Sequence, residues 1–307
     1  MANYIVIDGG TTTTRIGLAV DGKIIDKIKI PLGARANMEK PGTLEAEVKD
    51  AVNQLQRRHS VTPECILAAG MITSEFGLFN LPHIEAPAGI DELAAATKPV
   101  TLQNVSSLPF YFVPGVKTLG RLEESDMMRG EECEVFGLYD INGDGIYVLP
   151  GSHSKIIRIA GGKITDFRTL LTGEMVASLC GGTILRDAVK LSSSLEESYL
   201  LSGYQYCREH GINEALFKVR ILKNLLSASA DEVYSFFLGA VLEGEIKNIL
   251  TYPDARIFVA GKAELRHATA VILKAEGKAA AELDNDAVDG STFLGMIKIF
   301  EHKKSSI

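Results

Sequence analysis

The sequence predicts an α/β protein of two domains in which one structural unit occurs twice. One observation is the length of 307 residues, which exceeds the usual size of a single hydrophobic core. Another is a pair of matching segments, residues 4–29 and 146–166, each made of an apolar run, a polar turn, a second apolar run and a tight turn. A third is the pair of apolar runs at 65–69 and 256–260. Each is followed by a polar loop, the position at which open α/β sheets bind ligands.

The composition argues against some classes of function. A net charge of −7 without a long basic run speaks against nucleic acid as the main partner. The four cysteines are far apart and lack metal-ligand spacing, so we expect reduced thiols in a cytoplasmic protein. The first residues lack the pattern of a secretory signal, and no apolar run has the length that spans a bilayer. We therefore expect a soluble protein with no membrane partner.

The first matching segment begins with a β-rich run and continues as DGGTTTTR from Asp8 onward. Glycine lets backbone N–H groups approach an anion closely, and threonine hydroxyls add donors. A carboxylate at a strand end can hold a hydrated Mg²⁺ beside a phosphate. We therefore predict a nucleotide triphosphate site with Asp8 beside the metal, the alternative being a hairpin whose turn is merely rich in threonine. The phosphate-binding candidates in this turn are Gly10, Thr11, Thr12 and Thr13.

The stretch between the two matching segments predicts helices and strands in alternation. A helix with one apolar face follows Thr43, and a buried strand at 65–69 ends in a polar loop. The region after it is rich in Pro and Ala and predicts only a short helix near 91–97 and a strand near 110–113. A helical pattern begins near Glu131 and stops at the sequence NGDG at 142–145.

The second matching segment repeats the first at a constant offset of 140 residues, as from Thr14 to Ser154. Its polar turn consists of Gly151, Ser152, His153 and Ser154. An internal repeat on this scale indicates a duplicated domain. Two such turns could hold one polyphosphate from both sides, although a chance likeness of two hairpins is the alternative.

The rest of the chain is mostly helical. The strand at 256–260 ends at Gly261, a strand-to-helix turn that is open to a ligand. The apolar stripe within 231–250 is interpreted as core. Residues 302–307 are expected to fray. Helices are predicted at 170–191, 195–209, 231–250 and 291–300.

These motifs resemble those of the actin/hexokinase/Hsp70 ATPase superfamily. DGGTT from Asp8 resembles its first phosphate motif, GSHS from Gly151 its second, and VAGKA from Val259 its adenosine motif. Three further stretches, MRGEE from Met128, LPGSHSK from Leu149 and DFRTLLTGE from Asp166, resemble the 2-dehydro-3-deoxygalactonokinase family over nearly the full chain. The chain departs from that family at Gly9, where a Trp is frequent, and this departure could alter which sugar acid fits.

The resemblance implies two duplicated actin-like domains, of the ribonuclease H-like type, with the active site in the cleft between them. It implies ATP and Mg²⁺ as cofactors. Residues 1–142 would carry the first phosphate turn and the sugar-acid site, and residues 143–307 the second phosphate turn and the adenosine site. Gly173 and Gly261 join the ATP-binding candidates on the same ground.

The resemblance also implies a general base. Glycerol-kinase-like enzymes open a helix with a Gly-Asp pair before the second phosphate turn, and here Glu131 follows Gly130 at that place. A helix N-terminus favours the ionised carboxylate that a base requires. Glu131 is therefore the expected base and Glu132 the second choice, while the alternative is that both only stabilise the first helical turn.

The substrate would be a small sugar acid, whose carboxylate needs a cation or backbone donors. The candidates for contacting the substrate are Arg35, Thr73, Ser74, Glu75 and Arg129. We expect an ATP-dependent kinase that phosphorylates the 6-hydroxyl of 2-dehydro-3-deoxy-D-galactonate. The alternatives are a kinase of a related sugar or sugar acid and a nucleotide-dependent sensor without kinase activity. A homodimer is compatible with the sequence, which does not decide the oligomeric state.

Overall fold

The computed structural model of the protein describes residues 2–192 and 194–306. The strands within these ranges are β1 (Asn3–Gly9), β2 (Thr14–Val20), β3 (Lys23–Ile30), β4 (Cys65–Gly70), β5 (Ile84–Glu85), β6 (Ala88–Gly89), β7 (Lys98–Val100), β8 (Phe110–Phe112), β9 (Val116–Thr118), β10 (Asp126–Met128), β11 (Gly145–Leu149), β12 (Ser154–Ala160), β13 (Lys163–Leu170), β14 (Ile257–Val259) and β15 (Ala280–Glu282). The helices are α1 (Ala34–Glu39), α2 (Thr43–Arg58), α3 (Ile90–Ala96), α4 (Glu131–Asn142), α5 (Thr172–Gly182), α6 (Glu197–His210), α7 (Ile212–Asn224), α8 (Ala230–Ile249), α9 (Ala263–Ala275), α10 (Asn285–Val288) and α11 (Ser291–Ser305).

The chain divides into two compact units. Unit 1 consists of residues 2–144, 159–166 and 286–306. Unit 2 consists of Gly145–Arg158 and Phe167–Asn285. The last helix, α11, is therefore part of unit 1 although it follows unit 2 in the chain.

The larger sheet of unit 1 has the strand order β3-β2-β1-β4-β8-β7. Strand β1 is antiparallel to β2 and parallel to β4. Ile5, Val6 and Ile7 have no exposed surface, which explains why β1 is a continuous apolar run rather than an alternating one. The apolar face of α2, including Val48 and Val52, joins the core cluster that contains Ile5 and Ile7, as its helical spacing predicted.

Helices α4 and α11 pack closely within unit 1 because glycines face the partner backbone. A Cβ atom on Gly295 would lie 1.8 Å from the carbonyl oxygen of Cys133, and one on Gly137 would lie 1.9 Å from that of Ser291. No side chain fits at either position, so the two helix backbones are in direct contact. This packing supports α4, whose first residue is the predicted base, Glu131.

The second large sheet repeats the strand order of the first. Strands β15, β14, β11, β12 and β13 are neighbours in that order, with β14 parallel to both β11 and β15. Strands β12 and β13 begin and end 140 residues after β2 and β3. Asp21 and Gly22 in the first copy and Gly161 and Gly162 in the second have positive φ angles, as in tight hairpin turns. The predicted internal repeat is therefore confirmed.

Several helix boundaries differ from the predicted ones. The helix expected over 170–191 ends at Gly182 and is followed by a short 3-10 helix, Ile184–Asp187. Helix α7 was not predicted; it is separated from α6 only by Gly211, whose φ is 83°. Helix α11 continues to Ser305 where fraying was expected. Among the described helices, none combines the length and apolarity needed to cross a membrane.

Candidate active site

The C-terminal end of β1 carries Asp8, and the antiparallel register places Arg15 of β2 opposite it. Arg15 donates to Oδ2 of Asp8 from Nε at 2.8 Å and from Nη2 at 2.5 Å. These contacts leave Oδ1 as the oxygen with which Asp8 could bind a cation. Arg15 was missed in the sequence because a strand arginine has no distinctive local pattern; its only signal was its place across the turn from Asp8.

The turn after Asp8 is held by its backbone, and its threonine side chains are unengaged. The N–H of Gly10 donates to the carbonyl of Thr13 at 2.8 Å, and the carbonyl of Thr11 accepts the Arg35 N–H at 3.0 Å. Thr12 is exposed, and Thr11 and Thr13 are partly exposed. Within residues 2–192 and 194–306, no hydrogen bond engages the three hydroxyl groups, so all three are available to a ligand.

Gly9 has no room for a side chain. A Cβ atom on Gly9 would lie 2.6 Å from the Cβ of Ile72 and 2.8 Å from its backbone nitrogen. Ile72 belongs to a short 3-10 helix, Met71–Thr73, that directly follows β4. Because Gly9 has no side chain, the loop after β4 lies directly against the end of β1. This loop carries the predicted sugar-contacting residues, so the departure from the family at Gly9 affects their position.

The first turn of α4 brings acidic side chains to the strand end that carries Asp8. Its N-cap, Gly130, has a φ of 112°, and a Cβ atom built on it would lie 3.9 Å from Oδ1 of Asp8. Glu131 is partly exposed, and its Oε2 accepts the Arg129 N–H at 3.0 Å. The predicted base therefore lies at the helix N-terminus next to the predicted metal ligand.

The neighbouring Glu132 has a different environment. Its side chain is fully buried, and both carboxyl oxygens accept the Gly130 N–H at 2.8 Å. Burial, with the nearby Glu131 charge, raises the pKa of Glu132 to about 8, so this carboxyl is neutral at neutral pH. Burial also raises the pKa of Glu134 to about 7, against the opposing effect of Arg15.

Arg129 and Thr73 are joined in one network. The Nη1 of Arg129 donates to the Thr73 hydroxyl at 2.6 Å and to the carbonyls of Thr73 at 2.7 Å and Leu81 at 3.0 Å. Its Nη2 lies 3.2 Å from Nδ1 of His83. Burial and the Arg129 charge lower the pKa of His83 to about 4, so the ring is neutral and accepts this hydrogen bond. The network fastens the residue before Gly130 to the loop after β4.

The other predicted substrate residues lie on the same loop or on α1. Thr73 is buried, whereas Glu75 and Arg35 are exposed. The Ser74 hydroxyl donates to the carbonyl of Met71 at 2.7 Å. Asn37 of α1 donates to the carbonyl of Phe76 at 2.9 Å and so connects α1 to the loop.

In unit 2, the N-terminus of α5 is docked on the second polar turn. The N–H groups of Gly173 and Glu174 donate to the carbonyls of Gly151 at 3.0 Å and Ser152 at 3.1 Å. Nε2 of His153 lies 3.3 Å from Oε1 of Glu174. A Cβ atom on Gly173 would lie 2.3 Å from the Gly151 carbonyl, so this contact requires glycine.

The predicted adenosine turn meets the same region of unit 2. Gly261 has a φ of 72°, and a Cβ atom on it would lie 2.4 Å from the carbonyl oxygen of Pro150. The Lys262 N–H donates to that oxygen at 2.9 Å. The structure therefore brings Gly151, Gly173 and Gly261 together, as expected of three parts of one nucleotide site.

A cavity of about 390 Å³ lies beside this turn, within unit 2. Its apolar walls are formed by Leu195, Ala263, and Tyr234 and Leu238 of α8, and its polar walls by Ser192, Ser194, Glu264, Arg266, His267 and Glu282. Its volume is within the roughly 300–1,000 Å³ of pockets for small ligands and cofactors. The α8 stripe that the sequence interprets as core (Val233, Phe236, Phe237, Ala240 and Val241) is buried, as predicted; Tyr234 and Leu238, which line the cavity, lie outside that stripe.

A family model described as 2-keto-3-deoxy-galactonokinase matches residues 8–297 of the chain. The chain belongs to this family. It is therefore a kinase, a phosphotransferase with an alcohol group as acceptor that uses ATP. The chain is similar to the 2-dehydro-3-deoxygalactonokinase of Escherichia coli (strain K12), with 25% identity over 252 residues and 82% of each chain covered.

Two solved structures illustrate the fold of this kinase. One, a candidate 2-dehydro-3-deoxygalactonokinase from Sinorhizobium meliloti, has a TM-score of 0.82 at 22% identity and covers 97% of this chain and 96% of its own. The other is the activator of the 2-hydroxyisocaproyl-CoA dehydratase from Clostridium difficile with bound ADPNP. Its TM-score is 0.55 at 10% identity, with coverage of 99% of this chain and 96% of its own. With the repeated strand order, these likenesses confirm the predicted actin-like α/β fold.

The kinase has no preformed all-protein metal cage among its described residues, because no group of three or more His, Cys, Asp or Glu side chains is arranged to hold an ion. Mg²⁺ does not require such a cage in phosphotransferases, where one or two carboxylates and the substrate phosphates suffice. The donor set at Asp8, one carboxylate oxygen not engaged by Arg15, fits that requirement.

Proposed function

We propose that this kinase transfers the terminal phosphoryl group of ATP to the 6-hydroxyl of 2-dehydro-3-deoxy-D-galactonate, with Mg²⁺ as cofactor. The observation that carries the proposal is the position of Glu131, a partly exposed carboxylate at the N-terminus of α4 beside the strand end with Asp8. A phosphate-binding protein without kinase activity would not need a base there. The residue that we propose to activate the acceptor hydroxyl therefore lies in unit 1.

Glu131 acts as the general base that takes the proton from the attacking hydroxyl. Its partial exposure leaves the carboxylate accessible to a substrate hydroxyl. Glu132 cannot fill this role, because its side chain is buried and its pKa of about 8 keeps it protonated at neutral pH. We therefore propose Glu131 rather than Glu132 as the base.

Each polar turn offers donors to phosphate. In unit 1 these are the hydroxyls of Thr11, Thr12 and Thr13, and in unit 2 they are Ser152 and His153. Arg15 adds a fixed positive charge next to Asp8. Phosphoryl transfer depends on such positioning and charge stabilisation more than on covalent chemistry by the protein.

The nucleoside occupies the cavity beside Gly261, and Oδ1 of Asp8 holds Mg²⁺, directly or through water. Tyr234 and Leu238 offer an apolar wall to a planar base, with Arg266 at the polar side. When bound, Mg²⁺ would supply positive charge at the transferred phosphoryl group. The proposal thus assigns the sugar acid and the first turn to residues 1–142 and the second turn and the adenosine to residues 143–307.

The sugar acid is bound by the loop after β4 and by α1. Arg35, exposed and adjacent to the first turn, pairs with the substrate carboxylate, and Ser74 and Glu75 face its hydroxyls. Arg129 and Thr73 shape this loop through their mutual hydrogen bonds. A related sugar acid is the second candidate substrate, because Gly9 lets the loop approach β1 more closely than an aromatic side chain would.

A coupled assay of ADP release over a panel of sugar acids and sugars tests the proposal. We expect 2-dehydro-3-deoxy-D-galactonate to give the highest kcat/KM, with the product phosphorylated at the 6-oxygen by phosphorus NMR. A different best substrate would replace the acceptor and leave the kinase assignment in place. Binding of ATP without ADP release from any acceptor would favour the sensor.

The proposal includes cytoplasmic location and a homodimer. The free state of all four cysteines supports a reducing compartment. The oligomeric state is checked by light scattering on the purified protein, where a mass near twice 33.2 kDa is expected for the dimer and the monomer mass would contradict it.

A further inference from the structure

Helix α8 carries a carboxyl group in the core of unit 2. Glu245 is 1% exposed, and its neighbours Leu242, Ile246 and Ile249 belong to the main apolar cluster. Burying a carboxyl group is costly unless hydrogen bonds satisfy it. Hydrophobic packing therefore does not explain why a glutamate occupies this buried position.

The hydrogen-bond donor to Glu245 comes from the region of the second polar turn. The Thr172 hydroxyl donates to Oε2 at 2.7 Å. Burial raises the pKa of Glu245, and the Thr172 and Ser154 hydroxyls oppose the rise. Oε1 has no hydrogen-bond partner within residues 2–192 and 194–306. The carboxyl group is therefore directed at Thr172, with Ser154 nearby.

Ser154 and Thr172 each contribute to a different set of hydrogen bonds that hold the second polar turn. The Ser154 hydroxyl accepts the Gly151 N–H at 3.2 Å and so closes the turn on itself. Thr172 is the first residue of α5, and the next two N–H groups of that helix hold the carbonyls of Gly151 and Ser152. Glu245 thus links the turn and the helix N-terminus that is docked on it.

We propose that Glu245 is the positioning residue of the second phosphate turn: by holding Thr172 at the start of α5, it keeps that helix N-terminus on the turn and fixes the donors of residues 151–154 in the geometry that binds the ATP phosphates. The inference rests on the proposed function, since it assumes that this turn binds phosphate. Glu245 touches no ligand and acts through Thr172. Small misplacements of binding groups reduce rates strongly, by about 100-fold for a 1 Å shift in the sensitive cases.

Three substitutions test this role. Glu245→Met fills the same space without an acceptor, and Thr172→Val removes the donor at almost unchanged volume. Both should raise KM for ATP about tenfold or more and lower kcat, while KM for the sugar acid stays within about twofold. Glu245→Gln keeps an acceptor oxygen for Thr172 and should retain most of the activity.

Thr269→Val is the matched control. Thr269 is also fully buried, its hydroxyl has no partner among the described residues, and it lies on α9, away from the turn.

Hydrogen–deuterium exchange of the peptide that covers residues 171–176 gives a readout that does not depend on activity. Exchange at Gly173 and Glu174 should be faster in Glu245→Met and Thr172→Val than in the wild type and unchanged in Thr269→Val. Unchanged exchange and unchanged KM for ATP in Thr172→Val would overturn the inference, even if Glu245→Met does not fold. Equal increases in KM for both substrates would also overturn it, because they would indicate a general loss of structure. If the wild type releases no ADP with any acceptor, the proposed function fails, and the exchange result still decides whether Glu245 holds the turn.

Discussion

Arg15 donates two hydrogen bonds to a single carboxylate oxygen, Oδ2 of Asp8, at 2.8 Å from Nε and 2.5 Å from Nη2. The pair arises from the register of β1 and β2, which places the two residues opposite each other at the end of the sheet. It orients the Asp8 carboxylate and leaves Oδ1 for a cation. It also holds a positive charge next to the threonine-rich turn.

We expect Arg15→Ala to lower kcat by about 10²-fold or more, with a smaller effect on KM for the sugar acid. The substitution removes a fixed charge beside the transferred phosphoryl group, and single donors of this kind contribute about 10²–10³-fold. Steady-state kinetics with both substrates varied is the measurement. Arg121→Ala is the control, because Arg121 also pairs with a carboxylate, that of Glu124, but is 75% exposed; equal losses in both variants would contradict a role for Arg15.

Glu131→Gln should lower turnover by about 10²–10⁴-fold, the usual contribution of a general base, while ATP binding measured by calorimetry stays near normal. Glu132→Gln should keep most of the turnover, because the buried Glu132 is already neutral at neutral pH. Activity lost in Glu132→Gln and retained in Glu131→Gln would reverse the assignment.

The stability of the wild type should fall as pH rises through the range between the ordinary pKa of a glutamate and about 8. The pKa of Glu132 is raised in the folded state. Its contribution to the free energy of unfolding is therefore fully present below the pKa of the unfolded state and is lost as pH rises through the pKa of the folded state. Glu132→Gln should therefore flatten the dependence of the urea midpoint on pH between about 5 and 8. The remaining slope would include Glu134, whose pKa is raised to about 7. A pH dependence that is unchanged in Glu132→Gln would show that this carboxyl does not titrate as described.

Gly9→Ala should destabilise the protein by about 1–3 kcal/mol, because an added Cβ overlaps Ile72 and overpacking of a core has costs of this size. Urea unfolding followed by circular dichroism is the measurement. Gly181→Ala is the control, since its Cβ would meet nothing within 4 Å and alanine favours the helix. Equal stability of Gly9→Ala and the wild type would show that the loop after β4 can move away.

Ala263→Leu should raise KM for ATP about tenfold while KM for the sugar acid stays unchanged, because the larger side chain narrows the cavity beside Gly261. Initial rates at varied ATP are sufficient to measure this. Ala275→Leu, in the exposed last turn of the same helix, should behave as the wild type. An unchanged KM for ATP in Ala263→Leu would remove this cavity as the nucleoside site.

Local patterns in the sequence were enough to predict the duplicated α/β architecture. Apolar runs that end in Gly-rich turns define strands wherever they occur, so the two matching segments predicted β1 to β3 and β11 to β13. Gly10 in the first predicted phosphate turn and Gly261 occupy positions where a Cβ atom would meet a backbone oxygen at 2.7 and 2.4 Å, and that requirement is visible in the residue type itself. The helices were predicted less accurately: α7 was not predicted, and α11 continues beyond its predicted end. Tertiary packing outweighs weak local propensity at such positions.

The sequence by itself determined which residue types are present at the end of each strand, and it predicted a phosphate-binding turn in each copy of the repeat. Only the tertiary structure decided which side chains remain available, because burial and strand register bring together residues that are far apart in the chain. Register paired Arg15 with Asp8, and packing directed Glu132 inward. Packing also brought the Glu245 carboxyl to the Thr172 hydroxyl at the start of α5. This hydrogen bond joins residues more than 70 positions apart, and no local pattern could indicate it.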